Sequence, residues 1–172
     1  MSCRFSWQCL AAHHLKTRNI SEPDSPWLAI LQGFRQELGI SRRVRMLVSS
    51  VAEVPMVLGW LSPVILIPAS AFTSLTPDQL RSILAHELSH IRRHDHLINF
   101  LQGVIEVILF YHPTVWWLSQ RVRVEREHCC DDLSIRTTGN PRLLAEALTR
   151  LESLRLTTSK TISNSALAAT GG

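Results

Sequence analysis

Two histidines four residues apart, with a glutamate directly after the first, form the pattern in this chain best suited to chemistry. The segment is His86-Glu87-Leu88-Ser89-His90. On an α-helix, residues four apart lie on one face, about 6 Å apart along the axis. His86 and His90 can therefore bind one metal ion from the same side, and Glu87 can reach a water molecule at that ion and accept its proton. The pattern predicts half of a catalytic zinc site.

A second acidic segment further along the chain can complete such a site. A catalytic zinc ion needs three protein ligands and one open position. Glu127 and Asp131 are four residues apart and share a helix face. We therefore expect Glu127 to be the third ligand and Asp131 to accept a hydrogen bond from a liganding histidine. The alternative is a solvated acidic face between Arg121, Arg123 and Arg126.

Other polar side chains near these two segments are weaker candidates. Cys130 follows Glu127 by three positions and can approach the metal ion, whereas Glu125 should face away from it. Asp95 either supports the site without binding the metal or is an ordinary helix-end carboxylate. For each of these residues, a structural role is the favoured interpretation. The remaining histidines of the region are His94, His96 and His128.

The helix that carries the two histidines has a well-defined start. Thr76 can cap it, and Pro77 suits the first helical position. Gln79 can complete a capping box with Thr76. Because this start lies about ten residues before the first histidine, both histidines are expected in the interior of the helix.

Two more helices are predicted after the histidine segment. Leu97–Tyr111 is nearly all apolar and suits a helix that is buried or contacts a membrane. Pro113 opposes a continuous helix, so a separate one is predicted over Pro113–Thr138. This second helix carries the acidic segment and ends before Gly139.

Three short apolar segments predict the strands of a small antiparallel sheet: Val44–Ser49, Pro55–Gly59 and Val64–Ile67. A helix from Ser25 to Gly39 and a final helix from Asn140 complete the domain. The predicted fold class is therefore α+β, with the small sheet beside a helical domain that carries the histidine pair and the acidic segment. The sheet either binds an extended peptide along its edge or only packs on the helices.

The two chemical segments, with their flanks, resemble the BlaR/MecR-type membrane metallopeptidases of bacteria. The resemblance rests on IPAS…LTPDQLRSILAHELSHIRRHDHLINFLQ and on FYHPTVWWLSQRVRVEREHCCDDLSI, and it covers Val44 to Leu154. It implies a gluzincin, with HExxH on one helix and a glutamate on a later one. By this resemblance the matched site residues are the zinc ligands His86, His90 and Glu127, the general base Glu87, and Asp131 of an ExxxD motif.

The same resemblance implies an activity and a location. The activity is that of a zinc metalloendopeptidase that cleaves a regulatory protein, such as a transcriptional repressor, or itself. The location is the bacterial inner membrane, with the catalytic domain facing the cytoplasm. The alternative function is a zinc-binding module that transmits a signal without cutting, and the alternative location is that of a soluble cytoplasmic fragment. A chance motif in a helical binding domain is the remaining alternative.

Composition limits the other partners that this chain can have. Its 172 residues are enough for one domain with a sizeable core, and no apolar run reaches the ~18–20 residues of a membrane helix. The net charge of +4 suits contact with anionic lipid headgroups, and a basic surface without a specific partner is the alternative. No nucleic-acid partner is expected, because no recognition motif is present. The four cysteines form no disulfide framework, and the oligomeric state is not predicted.

The chain is expected to divide into three parts. Residues 1–25 are predicted to be a flank and linker, whose first residues suit the end of a membrane helix. Residues 26–156 are predicted to form the metallopeptidase domain. Residues 157–172 are rich in small and polar residues and are predicted to be a disordered tail.

Overall fold

A computed structural model describes residues 20–59 and 61–170, and its side chains as far as residue 156. In this part, four strands form one sheet and the remaining elements are helices. The strands are β1 (Ile20–Ser21), β2 (Arg45–Ser49), β3 (Met56–Leu58) and β4 (Val64–Pro68). The helices are α1 (Ser25–Glu37), α2 (Ala69–Ser74), α3 (Pro77–Arg92), α4 (Asp95–Ile108), α5 (Pro113–Thr138) and α6 (Pro141–Thr170). The predicted α+β class is confirmed.

The sheet is mixed, so the prediction of an antiparallel sheet is wrong for its central pair. The strand order is β1-β2-β4-β3, and β2 pairs with β4 in parallel, with Met46 opposite Ile65. β3 is antiparallel to β4 and lies at the outer edge of the sheet. β2 is the neighbour of β4 on its other side. Every residue of β4 is buried. A strand covered on both faces is typical of parallel pairing.

Two short elements were not predicted. β1 consists of Ile20 and Ser21, pairs antiparallel with β2, and falls within the segment predicted to be a flank. α2 has six residues and follows β4 directly. Both are too short to show a hydrophobic period. Residues 1–19, which include the predicted end of a membrane helix, lie outside the described part.

α3 begins with the predicted capping box and then runs through the core. The backbone N–H of Gln79 donates to Thr76 Oγ1 at 3.3 Å, and the N–H of Thr76 donates to Gln79 Oε1 at 3.1 Å. The core residues of this helix are fully buried against the sheet and are Leu80, Ile83, Leu84 and Leu88. Burying each such side chain contributes about 1.5–3 kcal/mol, so this packing fixes α3 in place.

α5 has the predicted bounds, Pro113 to Thr138. It ends at Gly139, whose φ of 77° is left-handed and whose N–H donates to Ile135 O at 2.7 Å. Ser134 Oγ donates to Ser82 O at 3.0 Å and ties α5 to α3. α5 therefore packs directly on the helix that carries the two histidines.

The backbone of α6 is helical to Thr170, whereas the sequence predicts disorder from residue 157. Side chains beyond residue 156, and residues 171–172, lie outside the described part. The division into residues 1–25, 26–156 and 157–172 therefore stays a prediction.

Exposed apolar side chains are concentrated on α4, the turn after it and the first turns of α5. This set, called the α4–α5 apolar surface below, consists of Leu97, Phe100, Leu101, Val104, Ile105, Val107, Ile108, Phe110, Tyr111, Trp116, Trp117 and Leu118. No helix in residues 20–59 and 61–170 is both long and apolar enough to cross a membrane.

Candidate metal centre

The structure brings together the three residues predicted to bind zinc. The Nε2 atoms of His86 and His90 lie 3.1 Å apart on α3. Glu127 Oε2, from α5, lies 3.8 Å from the first of these nitrogens and 3.7 Å from the second. Ligands bound to one zinc ion at about 2.0–2.1 Å in a tetrahedral arrangement are roughly 3.3 Å apart. The donor set of two imidazoles and one carboxylate, at these separations, fits a single metal ion.

The two histidines have different electrostatic surroundings. Burial lowers the pKa of His86, and the neighbouring His90 lowers it further. Burial opposes the charged form of His90 as well. The hydrogen bond to Asp95 and the charges of Glu87 and Glu127 outweigh that effect and raise the pKa of His90. His86 therefore favours the neutral form that binds metals, while His90 is the more basic imidazole.

Asp131 lies where the sequence predicts it, behind His86. Its Oδ1 is 3.0 Å from His86 Nδ1. The two atoms are not aligned as a hydrogen bond, and neither has a hydrogen-bond partner among the described residues. A small rotation of either side chain would form the bond, and Nδ1 would then carry the proton while Nε2 stayed free to bind a metal.

Glu87 follows His86 on α3 and is only partly exposed to solvent. Burial raises the pKa of its carboxyl to about 7, and the charge of Glu127 raises it as well, while His90 acts in the opposite direction. A carboxylate that titrates near neutral pH can both accept and release a proton under physiological conditions. Its predicted role as general base is compatible with this environment.

A direct contact joins Asp95 to His90, in agreement with the less favoured of the two roles considered for Asp95 from the sequence. Asp95 Oδ2 lies 2.7 Å from His90 Nδ1, and the carboxylate is fully buried. The sequence analysis favoured an ordinary helix-end role for Asp95. Asp95 follows His90 by five positions, and residues with this spacing are not neighbours on a continuous helix. The contact therefore depends on the turn between α3 and α4.

Cys130 lies close to the same pair. Its Sγ is 3.3 Å from His90 Nδ1 and 3.4 Å from Asp95 Oδ2. By distance, these three residues form a second group that could hold a metal. Burial and the charge of Asp95 raise the pKa of Cys130 far above its usual range, so the thiol keeps its proton. Arg126 also lies against Asp95 and repels a cation there. We therefore assign no metal to this group.

The remaining candidates lie outside both groups. Glu125 is exposed on the outer face of α5, as predicted, and His128 is exposed as well. His94 occupies the turn after α3, where its Nδ1 lies 3.0 Å from Arg92 O. Burial lowers the pKa of His96. The charge of His90 lowers the pKa of His96 as well. None of these four residues belongs to the group of His86, His90 and Glu127.

Comparisons with known proteins identify the family of this chain. A family model described as BlaR1 peptidase M56 matches residues 5–168. The chain is 26% identical over 140 residues to the regulatory protein BlaR1 of Bacillus licheniformis, an alignment that covers 80% of this chain and 23% of the relative. It is 29% identical over 83 residues to the methicillin resistance mecR1 proteins of Staphylococcus aureus and Staphylococcus epidermidis, covering 48% of this chain and 14% of theirs.

The chain spans less than a quarter of the length of these curated relatives. The family match, in contrast, extends over almost all of this chain and includes both helices that carry the metal-binding group. The chain therefore belongs to the BlaR1 peptidase M56 family.

Proposed function

We propose that this chain is a zinc metalloendopeptidase domain. The observation that carries the proposal is the convergence of His86 Nε2, His90 Nε2 and Glu127 Oε2 within 3.1–3.8 Å of one another. Two imidazoles and one carboxylate are the donor set of several zinc peptidases, in which a fourth position stays open for water or substrate. Membership of a peptidase family supports the same chemistry.

The chain's own residues would divide the work of peptide hydrolysis. His86, His90 and Glu127 would hold zinc, which would polarise the scissile carbonyl and lower the pKa of a nearby water. Glu87 would accept the proton of the attacking water and then release it to the leaving amine. Burial raises the pKa of its carboxyl in the metal-free chain, and a more basic carboxylate holds the transferred proton better before releasing it.

The proposed substrate is an extended segment of a regulatory protein, such as a transcriptional repressor, or of this chain itself. β3 is an edge strand of the sheet and contacts α3, the helix that carries both histidines. An edge strand can pair with an extended peptide through main-chain hydrogen bonds. A substrate bound along β3 would lie beside α3, the helix that carries two of the three proposed zinc ligands.

We propose that the domain works at the cytoplasmic surface of the bacterial inner membrane. The α4–α5 apolar surface includes Tyr111, Trp116 and Trp117, whose ring types favour the boundary between lipid and water. The guanidinium of Arg121 lies over the Trp117 ring, 5.6 Å from its centre. Apolar side chains bordered by arginine suit a membrane surface with anionic headgroups.

The test compares wild type with Glu87→Gln, which keeps the hydrogen-bonding shape but does not act as a carboxylate base. We expect about one zinc per chain in both proteins by metal analysis. Cleavage of a peptide library should fall by a factor on the order of 10²–10⁴ in the variant. Glu125→Gln is the matched control, because Glu125 is exposed on α5 and should change neither result.

The outcomes separate the proposal from its alternatives. Absence of zinc from the wild type would reject the metallopeptidase. Bound zinc without cleavage by the wild type would favour a signalling module that does not cut. Equal cleavage by wild type and Glu87→Gln would remove Glu87 from the mechanism but leave the zinc centre standing.

A further inference from the structure

The turn between α3 and α4 has an unusual backbone conformation. Its residue His94 has a φ of 58°, the single positive φ of a non-glycine residue in the described part of the chain. This left-handed region disfavours residues with a side chain. Such outliers persist where the surrounding structure over-determines them. Here the turn allows α4 to start at Asp95, beside the last turn of α3.

The result is a direct contact between the first residue of α4 and the second histidine of α3. Asp95 Oδ2 lies 2.7 Å from His90 Nδ1. An ionised carboxylate only accepts hydrogen bonds, so Nδ1 is the donor and carries the ring proton. In the neutral imidazole, which is the form that binds a metal, His90 Nε2 is then left with its lone pair, and it is this atom that lies 3.1 Å from His86 Nε2 and 3.7 Å from Glu127 Oε2.

Cations and a thiol hold the Asp95 carboxylate in place. Arg126 Nε lies 3.3 Å from Asp95 Oδ1, and Arg93 Nε lies 3.8 Å from the same oxygen. These contacts are ion pairs, since none of the three atoms is aligned as a hydrogen bond. Arg126 is itself buried, and it donates to Asn99 Oδ1 at 2.6 Å. The Cys130 thiol donates to Asp95 Oδ2 at 3.4 Å. A buried carboxylate with these partners is compensated in charge and limited in movement.

The two histidines therefore differ in how firmly they are held. The side chain of Asp131, behind His86, is 36% exposed, and its Oδ1 is not aligned for a hydrogen bond with His86 Nδ1. Asp95, behind His90, is 1% exposed in its side chain and is already bonded. His90 is oriented before any metal arrives, and the residue that orients it comes from α4, which carries none of the three proposed ligands.

We propose that Asp95 is a positioning residue of the metal centre, which fixes the tautomer and the ring orientation of His90 and is held for this task by Arg126. The inference rests on the proposed function, because it needs zinc at His86, His90 and Glu127. Partners behind the ligands of a metal typically change metal affinity by about 10- to 100-fold when they are removed.

The experiment measures the zinc dissociation constant by competition with a chelator, and the thermal unfolding of the metal-free protein. Asp95→Ala alone would leave the buried Arg126 charge unpaired, so it is combined with Arg126→Met. We expect this double variant to bind zinc about 10- to 100-fold more weakly than wild type. Asp95→Asn, also combined with Arg126→Met, should give a zinc affinity between those of wild type and the alanine double variant, since the amide oxygen still accepts a hydrogen bond from Nδ1.

Asp132→Asn is the matched control, because Asp132 is an exposed carboxylate next to Asp131. It should bind zinc as wild type does. A purely structural role for Asp95 predicts a lower unfolding temperature of the metal-free protein with an unchanged zinc dissociation constant, and that result would overturn the inference alone. A wild type without zinc would overturn the proposed function together with the inference.

Discussion

The three side chains proposed to bind zinc differ in exposure. Substitutions at these positions therefore differ in whether they disturb packing in addition to removing a ligand. The side chains of His86 and His90 are 9% and 15% exposed, whereas that of Glu127 is 55% exposed. Removing a buried imidazole leaves a cavity as well as a lost ligand. Removing the exposed Glu127 carboxylate takes away the ligand with little loss of packing.

We therefore predict that alanine at any of these three positions removes most of the zinc. Only the two histidine variants should also lower the unfolding temperature of the metal-free protein. Metal analysis and thermal unfolding measure the two effects. Glu125→Ala is the control, since Glu125 is exposed on the same helix as Glu127. If Glu125→Ala lost zinc while Glu127→Ala kept it, the third ligand would be wrongly assigned.

A second prediction at this scale concerns the pH dependence of stability in the metal-free protein. Burial raises the pKa of Glu87 from 4.5 to about 7 in the folded chain. Between these values the folded state binds more protons than the unfolded state, so stability falls as pH rises and stays lower above about pH 7. We expect the free energy of unfolding to fall by about 1–3 kcal/mol over this range. The lower part of that range allows for the solvent that still reaches part of the Glu87 side chain.

Urea unfolding of metal-free protein at pH 5 and pH 8 measures this loss. Glu87→Gln has no such proton to release, so its stability should fall less over the same range. Groups that do not interact with Glu87 cancel in the comparison. His90 changes in the same direction as Glu87, because the Glu87 charge that helps to raise its pKa is absent from the variant. Parallel pH profiles for wild type and variant would show that Glu87 titrates at its ordinary pKa.

The spacing of residues within one helix could be used to predict contacts, but the geometry of a turn could not. His86 with His90, and Glu127 with Asp131, are four residues apart within continuous helices, so their shared faces follow from the helical period. Asp95 reaches His90 only because His94 adopts a left-handed conformation. No glycine marks that turn, so the sequence does not indicate it.

At the scale of elements, the start of α3 offers a stability test that leaves the metal-binding residues unchanged. Thr76→Ala removes the side-chain half of the capping box, so the N–H of Gln79 loses its acceptor. We expect a loss of about 1 kcal/mol in the free energy of unfolding, measured with urea. Thr149→Ala is the control, because Thr149 is exposed within α6 and its hydroxyl only repeats a contact inside the helix.

Zinc content per folded chain should not change in Thr76→Ala, because the cap lies more than two turns before His86. A loss in Thr149→Ala as large as that in Thr76→Ala would mean that the capping box has no special role. A larger loss of stability in Thr76→Ala than in Thr149→Ala would support the view that α3 is fixed at its start by the cap and along its length by the core.

The bounds of helices were predictable where both ends carry strong signals, and the sheet topology was not. Pro113 suits the first turn of a helix, and Gly139 readily adopts the left-handed conformation that ends one, so both bounds of α5 were predicted. Apolar runs predicted β2, β3 and β4, but they do not state which strands are neighbours. The parallel pairing of β2 with β4 follows from the position of β3 at the edge, which depends on tertiary packing.

At the scale of the whole molecule, we predict that the α4–α5 apolar surface binds membranes. Purified protein should float with lipid vesicles that contain anionic lipid, and it should bind neutral vesicles less well. Val107 and Ile108 are 63% and 65% exposed, so changing both to Asp should weaken binding by at least tenfold without disturbing the core. Leu61→Asp is the control, because Leu61 is 74% exposed outside this surface.

Raising the salt concentration should reduce the binding to anionic vesicles, since exposed charges are screened. Equal binding by wild type and the double Asp variant would exclude this surface as the site of contact. A protein that stayed free of vesicles and formed a dimer instead would assign the surface to a second copy of the chain.

The continuity of α5 has a thermodynamic consequence. This single 26-residue helix presents Trp116 and Trp117 near its start and Glu127 about 15 Å further along its axis. Because a helix moves as a stiff body, a contact that changes the tilt of α5 at Trp117 must also shift Glu127 relative to His86 and His90. Linkage makes the effect reciprocal. If such a contact changes the affinity for zinc by a given factor, then zinc changes the affinity for that contact by the same factor.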